Sequence, residues 1–210
     1  MLAQDIFPSE RRGLVTASRC HVLFPKRSAE AGQRSYALQL AKELYFDHYD
    51  EVSTWQMEHG QYNEIWAKEH YEEVTGIIGV KPEFVKKGDA GGGSDFLSND
   101  GQVGVDFKCP TSLEEFLRYH VDGITEQQYH QAQMYSYLYG TESWYICPFL
   151  TETNRMSENG LTYPLPKSQR MLFFKVEIEK GWGEKLEERV PKIIEMRDEF
   201  IEQFKKQFPR

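Results

Sequence analysis

The chain has 210 residues, a net charge of -8 and three scattered cysteines, Cys20, Cys109 and Cys147. A mean hydropathy of -0.64, with no run of about eighteen apolar residues, excludes a membrane-spanning helix. The odd cysteine count, without a C-x-x-C pair, excludes a disulfide framework and points to a reducing cytoplasm. The acidic balance taken alone argues against a nucleic-acid partner, although a metal-bearing groove can be locally positive on an acidic protein.

The opening MLAQDIFP lacks the apolar stretch of a signal peptide, and SERRGLVTASRCHVLF (9–24) reads as a compact N-terminal element. Tyr36, Ala37, Leu40, Ala41 and Leu44 recur at helical spacing and predict a helix over 33–47. A second helix is predicted over 57–75, stopping at Gly76 as its C′ residue. Residues 77–86 read as a strand, and 94–108 as a hairpin ended by Pro110. Thr111-Ser112-Leu113-Glu114 reads as a capping box opening a helix to about Tyr119. Thr125-Glu126-Gln127-Gln128 opens another, which stops before Gly140. Strands follow at 142–149 and 170–178, around a long loop at 151–168, and an amphipathic helix covers 183–206. This order fits a single domain over 1–210 with an N-terminal helical embellishment. Its class is α/β (α+β mixed), a central mixed sheet flanked by helices. Basic residues cluster at Arg11-Arg12, Arg19, Lys26-Arg27 and Lys86-Lys87, and each also reads as solvated surface charge.

The chemistry concentrates in GGGSDFLS (91–98) and QVGVDFKCP (102–110), joined through Asp100-Gly101. Asp-Gly between alternating segments is a strong hairpin signal. A two-residue turn there sets Asn99 against Gln102, Leu97 against Gly104 and Asp95 against Asp106. Opposed Cβ atoms lie roughly 4.5–5.5 Å apart. Lys108 falls on the same side of the sheet as Asp106, while Val103, Val105 and Phe107 join Phe96 on the other side, in a core. Opposed carboxylates repel. Either they share a cation, for which hard oxygens suit Mg²⁺ or Mn²⁺, or the hairpin carries an ordinary solvated face. A lone D-x-K tripeptide favours the second reading. The opposed pair, the in-phase lysine and the preceding glycine run strengthen the first, and on the hairpin alone both stay open.

Five motifs in order extend the argument. Arg11-Arg12-Gly13-Leu14-Val15-Thr16-Ala17-Ser18 comes first, then Gly60-Gln61-Tyr62-Asn63-Glu64 on a helix running to Thr75-Gly76. Ser94-Asp95, Val105-Asp106-Phe107-Lys108-Cys109-Pro110 and Tyr129-His130-Gln131-Ala132-Gln133 follow. Together, over about 9–200, they resemble the phage lambda exonuclease family, the alkaline exonucleases of viral recombination within the PD-(D/E)xK nuclease superfamily. Ser94 replaces the usual proline and Asp106 the usual glutamate. Both are tolerated by the superfamily motif, although the shorter aspartate shifts the metal position. The loop at 151–168 is longer than the family pattern requires.

The resemblance implies a restriction-endonuclease-like core and a Mg²⁺-dependent, processive 5′-to-3′ exonuclease on double-stranded DNA, leaving 3′ single strands. It implies two ions per site, with Mn²⁺ as a substitute, held by Asp95, Asp106, the backbone carbonyl of Phe107 and Glu64. Lys108 would orient or deprotonate the attacking water, or neutralise the phosphate; the deprotonating role requires a lowered pKa. Gln131 would hydrogen-bond water or the reactive phosphate, its bland alternative being an exposed helix glutamine. Arg11 and Ser18 would bind a terminal 5′-phosphate, and Met57 would wedge the duplex end or else be a core methionine. The implied partners are 5′-phosphorylated DNA ends, a single-strand-annealing protein and two further copies of the chain in a homotrimeric ring. Lys86, Lys87 and Arg118 are candidate lining residues of its channel. The setting would be a bacterial or phage-infected cytoplasm. Two alternatives remain: a restriction-type or single-strand nuclease on the same fold, and a catalytically inactive DNA-end clamp. Three scattered cysteines argue against the relatives that carry a four-cysteine iron–sulfur site.

Overall fold

The computed structural model describes residues 9–25, 30–48, 54–152 and 163–210. The opening 1–8, the pair Lys26-Arg27 and positions 153–162 of the long loop lie outside these residues. Five strands form a mixed sheet: β2 (Gly79–Val80), β5 (Phe96–Ser98), β6 (Val103–Lys108), β7 (Ser143–Pro148) and β8 (Phe174–Val176), in the spatial order β2-β5-β6-β7-β8. β6 is central and pairs antiparallel with β5 and parallel with β7. A parallel neighbour needs a crossover, and α3 (Leu113–Asp122) and α4 (Glu126–Tyr139) supply it. The sheet is thus mixed and flanked by helices, as its pattern implies.

A second sheet departs from that pattern. β1 (Val15–Thr16), β4 (Ala90–Gly92) and β3 (Val85–Lys87) form a three-stranded sheet in the order β1-β4-β3. The single strand expected at 77–86 is therefore two strands in two sheets. Between them lies Pro82, which cannot donate to a ladder. Likewise 170–178 shortens to β8, with Met171 making only an isolated bridge to Phe149.

Helix boundaries follow local chemistry. α1 spans Glu30–Phe46. α2 spans Trp55–Thr75, where Thr54 accepts from the Met57 N–H and Gly76 closes the helix at φ 72°. The helix after Pro110 starts one residue later than its expected box. Ser112 is the N-cap and accepts from the Glu115 N–H, while the Glu115 carboxylate accepts from the Thr111 N–H at 2.8 Å. At α4 the Thr125–Gln128 box closes in both directions. α5 runs over Trp182–Gln207 and packs along α1.

Two apolar clusters lie about the main sheet. Phe96, Val105 and Phe107 meet Tyr71 and Ala67 of α2 on one face. On the other, Trp144 and Ile146 of β7 meet Tyr135 and Leu138 of α4, in a core that extends to α1 and α5. Gly104 is required there, since a Cβ at that position would lie 2.0 Å from the Trp144 ring.

Candidate active site

The hairpin register is the expected one: Leu97 pairs with Gly104 and Phe96 with Val105. The turn is not. Residues 99–102 form a four-residue connection closed by a Gly101 N–H to Ser98 carbonyl bond of 2.8 Å. A two-residue type I′ turn needs positive φ at both central positions. Gly101 has it, at 72°, and Asp100 does not. Instead the Asp100 carboxylate accepts from the Ser98 hydroxyl at 2.5 Å and the Gln102 N–H at 3.0 Å. Shortening both strands equally leaves the register intact, so Asp95 still arrives beside Asp106.

Asp95 accepts the Phe107 N–H at Oδ2, 2.9 Å away, which ties the residue before β5 onto β6. Asp106 is 3% exposed in the central strand. Its Oδ2 lies 2.5 Å from the Lys108 Nζ, yet this buried oxygen makes no aligned hydrogen bond. Burial first, then the charge of Asp106 and of Glu64, push the Asp95 carboxyl well above its ordinary value. For Lys108, burial works downward, but the charges of Asp106 and Asp95 outweigh it and raise the ammonium above its ordinary value. In the metal-free site that direction is opposite to what a general-base lysine requires, and a divalent cation on the two aspartates would work against it. The same burial, reinforced by Glu64 and Asp95, pushes the Cys109 thiol upward, so sulfur contributes no thiolate here.

α4 delivers the next residues. Gln131 Oε1 faces the Lys108 Nζ at 3.4 Å, and its Nε2 donates to the Tyr135 hydroxyl at 3.2 Å. Tyr135 in turn donates to the Gly93 carbonyl at 2.9 Å. Gln131 is buried, not the exposed helix glutamine of the bland reading. Burial and then the charges of Asp106 and Asp95 hold the Tyr135 hydroxyl protonated, and the charge of Arg11 acts in the opposite sense on the same group. The charge of Arg11, on the N-terminal element, thus reaches Tyr135. Ser18 is fixed to the start of α4 through its carbonyl, which accepts from Gln127 at 3.0 Å.

From α2, Met57 is 43% exposed rather than core. It lines a cleft of about 600 Å³ together with Gly60, Lys108, Arg118 and Tyr119. A second cavity, of about 470 Å³, lies on another flank of α2, lined by Tyr62, Trp66, His70 and Arg170. None of the proposed catalytic groups lines it. Lys86 and Lys87 belong to β3 in the small sheet, where Lys87 rests on the Tyr137 ring at 3.7 Å.

Glu64 is the residue the geometry brings close without joining. Its charge acts on Asp95, but its carboxylate is engaged by Lys81 at 2.8 Å. Among the described residues no three His, Cys, Asp or Glu side chains converge as a complete metal site. The donors present do fit a hard divalent cation. Two carboxylates meet, and one buried oxygen, Asp106 Oδ2, is left without an aligned donor. Two residues here escaped sequence reasoning. Tyr135 stands four positions after Gln131, on one helical face, so its signal was present in the spacing. Lys81 carried no such signal.

The fold is that of the restriction-endonuclease-like nucleases. Within that class, the alkaline exonuclease LHK-Exo from Laribacter hongkongensis has a similar crystal structure, with a TM-score of 0.76 at 18% identity over 95% of both chains. Its complex with dAMP gives a TM-score of 0.75 at 19% identity over 95% of both chains. A phage related exonuclease from Haemophilus somnus 129PT gives 0.77 at 18% identity, covering 91% of this chain and 96% of that one. No protein-family model matches the sequence, and no curated protein sequence matches it.

Proposed function

We propose that the protein is a Mg²⁺-dependent exonuclease that digests the 5′-ended strand of duplex DNA processively and leaves 3′ overhangs for an annealing partner. The observation that carries this reading is the buried Asp106 with Asp95 beside it and the Lys108 ammonium 2.5 Å from its Oδ2, on a fold shared with alkaline exonucleases.

Asp95, Asp106 and the Phe107 carbonyl, joined by Glu64, are the groups that would hold the ions. Divalent ions in such a site lower the pKa of bound water and stabilise charge on a phosphate. Lys108, kept charged by its two aspartates, offsets charge on the scissile phosphate. Gln131, anchored through Tyr135, orients a hydrogen-bonding amide beside it. Arg11 suits a terminal phosphate because its planar fork can donate to two oxygens, with Ser18 as a neighbouring hydroxyl. Met57 presents an apolar side chain to the duplex end, where such wedges part a base step.

The test is digestion of end-labelled duplexes bearing 5′-phosphate or 5′-hydroxyl termini, with Mg²⁺ or with EDTA. Mononucleotides released from the phosphorylated 5′ end, in Mg²⁺ only, are expected. Binding to ends without hydrolysis would make the protein a clamp. Digestion confined to single strands would make it a different nuclease.

A further inference from the structure

Among the described residues, Lys81 is the basic side chain tied to Glu64. Its Nζ donates to Glu64 Oε2 at 2.8 Å. Its root follows β2, where Val80 pairs with Leu97 of β5, and Pro82 after it narrows the backbone choices of Lys81. The ammonium therefore projects from a defined point on the sheet edge. Burial works to lower its pKa, but Glu64, followed by Asp95 and Asp106, raises it. Lys81 thus feels the charge of all three candidate ligands and touches Glu64, while Lys108 touches Asp106. An exposed ion pair holds little free energy, so this one biases the place of Glu64 without locking it.

An ammonium held on a carboxylate offsets the charge that would attract a divalent cation and repels the incoming ion, so the two compete for Glu64. Resting on the metal-site reading above, we propose that Lys81 is a positioning residue that keeps Glu64 close to the aspartates and competes with the cation for it. Glu64 is released from Lys81 as the ion enters. The freed ammonium then stands at the rim of the site, as a counter-charge for the DNA backbone. On this view, affinity for the ion is deliberately moderated, and Glu64 is the ligand that the exchange controls.

The experiment is a titration of the DNA-free protein with Mn²⁺, counting the free ion by electron paramagnetic resonance. Wild type, Lys81→Met, Lys81→Arg and Asp106→Asn are compared at low and at physiological salt. Met keeps the aliphatic stem and removes the charge. Lys81→Met is expected to bind Mn²⁺ about two- to fivefold more tightly, with the gain shrinking as salt screens the competing charge. Lys81→Arg should stay nearer to wild type. Asp106→Asn should lose most of the binding. Unchanged or weaker binding by Lys81→Met, while Asp106→Asn loses it, overturns the role of Lys81 and leaves the metal site standing. Undiminished binding by Asp106→Asn overturns the site, and the proposal with it. Lys81 is 65% exposed, so neither substitution at that position threatens the fold; matching unfolding curves verify this.

Discussion

Asp95 does two things that oppose each other. Its carboxylate anchors the Phe107 N–H, and its negative charge is partly withdrawn from water next to Asp106, which raises its pKa. A carboxyl with a raised pKa in the folded protein contributes most below the ordinary aspartate value. That contribution is lost as pH climbs through the folded value, so at neutral pH its ionisation burdens the fold. Asparagine keeps the acceptor and drops the charge. In EDTA at pH 7, Asp95→Asn should therefore melt higher than wild type, by about 2–4 °C for each kcal/mol relieved. The gap should close as pH falls towards the ordinary carboxylate range. The same variant should lose hydrolysis by about a hundredfold or more in Mg²⁺, the scale of one essential charged group. A folded Asp95→Asn protein that digests duplex normally would remove Asp95 from the site. At Arg11, loss of the guanidinium should cost the preference for 5′-phosphorylated ends about ten- to a hundredfold, as for a charge-assisted contact. Arg11→Ala assayed on paired phosphate and hydroxyl substrates would show this, and an unchanged preference would place the phosphate elsewhere.

α4 explains why some of the site was legible and some was not. Gln128, Gln131 and Gln133 are all buried, which hydrophobic periodicity cannot foresee. Each is admitted because a partner arrives from elsewhere: Tyr119 for Gln128, Lys108 and Tyr135 for Gln131, and the Glu177 carbonyl with the Glu179 N–H for Gln133. Tyr135 apart, these partners lie 9 to 46 residues away, so spacing alone left Gln131 ambiguous. The hairpin, by contrast, was legible, because alternation and a turn pair residues close in sequence. The split of 77–86 was hidden because one half pairs with β5 and the other with β4. Lys81 was hidden with it. The same helix carries His130, whose Nδ1 accepts from the buried Trp182 indole at 3.3 Å, with Phe24 stacked on the ring at 4.5 Å. Burial, the largest influence, lowers the pKa of His130. A group depressed in this way stabilises above its unfolded value, near 6.5, and that stability is lost as pH falls through the folded value. His130→Phe would keep the stack but leave the indole N–H unpaired. It should cost about 1–3 kcal/mol at pH 7 and lose less stability than wild type between pH 7 and 5. Chemical denaturation at the two pH values measures both effects, and parallel pH profiles would exclude His130 as a contributor.

At the scale of the molecule, a net charge of -8 gives weak general attraction to DNA, and salt weakens such contacts steeply. The processive digestion proposed above would therefore call for topological linkage, and a ring of three copies, built from heterologous contacts that close on themselves, would supply it. Light scattering at micromolar protein should give three times the chain mass of 24.6 kDa. A protein that stays monomeric while digesting kilobases per encounter, under a competitor trap, would show that the linkage has another origin. No helix among the described residues is long and apolar enough to cross a membrane.

The packing of α5 along α1 also sets an order of events during synthesis. Arg197 of α5 donates to the Gly13 carbonyl at 2.9 Å, and Arg189 donates to the Leu23 carbonyl at 3.0 Å. The segment bearing Arg11 and Ser18 is therefore clamped by the helix made last among the described elements. β5 and β6 leave the ribosome roughly a hundred residues earlier, which at about 5–20 residues per second is some 5–20 s. During that interval the nascent chain holds both aspartates and Lys108, while the segment bearing Arg11 and Ser18 still lacks its contacts to α5. On the proposed reading, the place for a 5′ end is thus completed only once α5 has emerged and packed along α1.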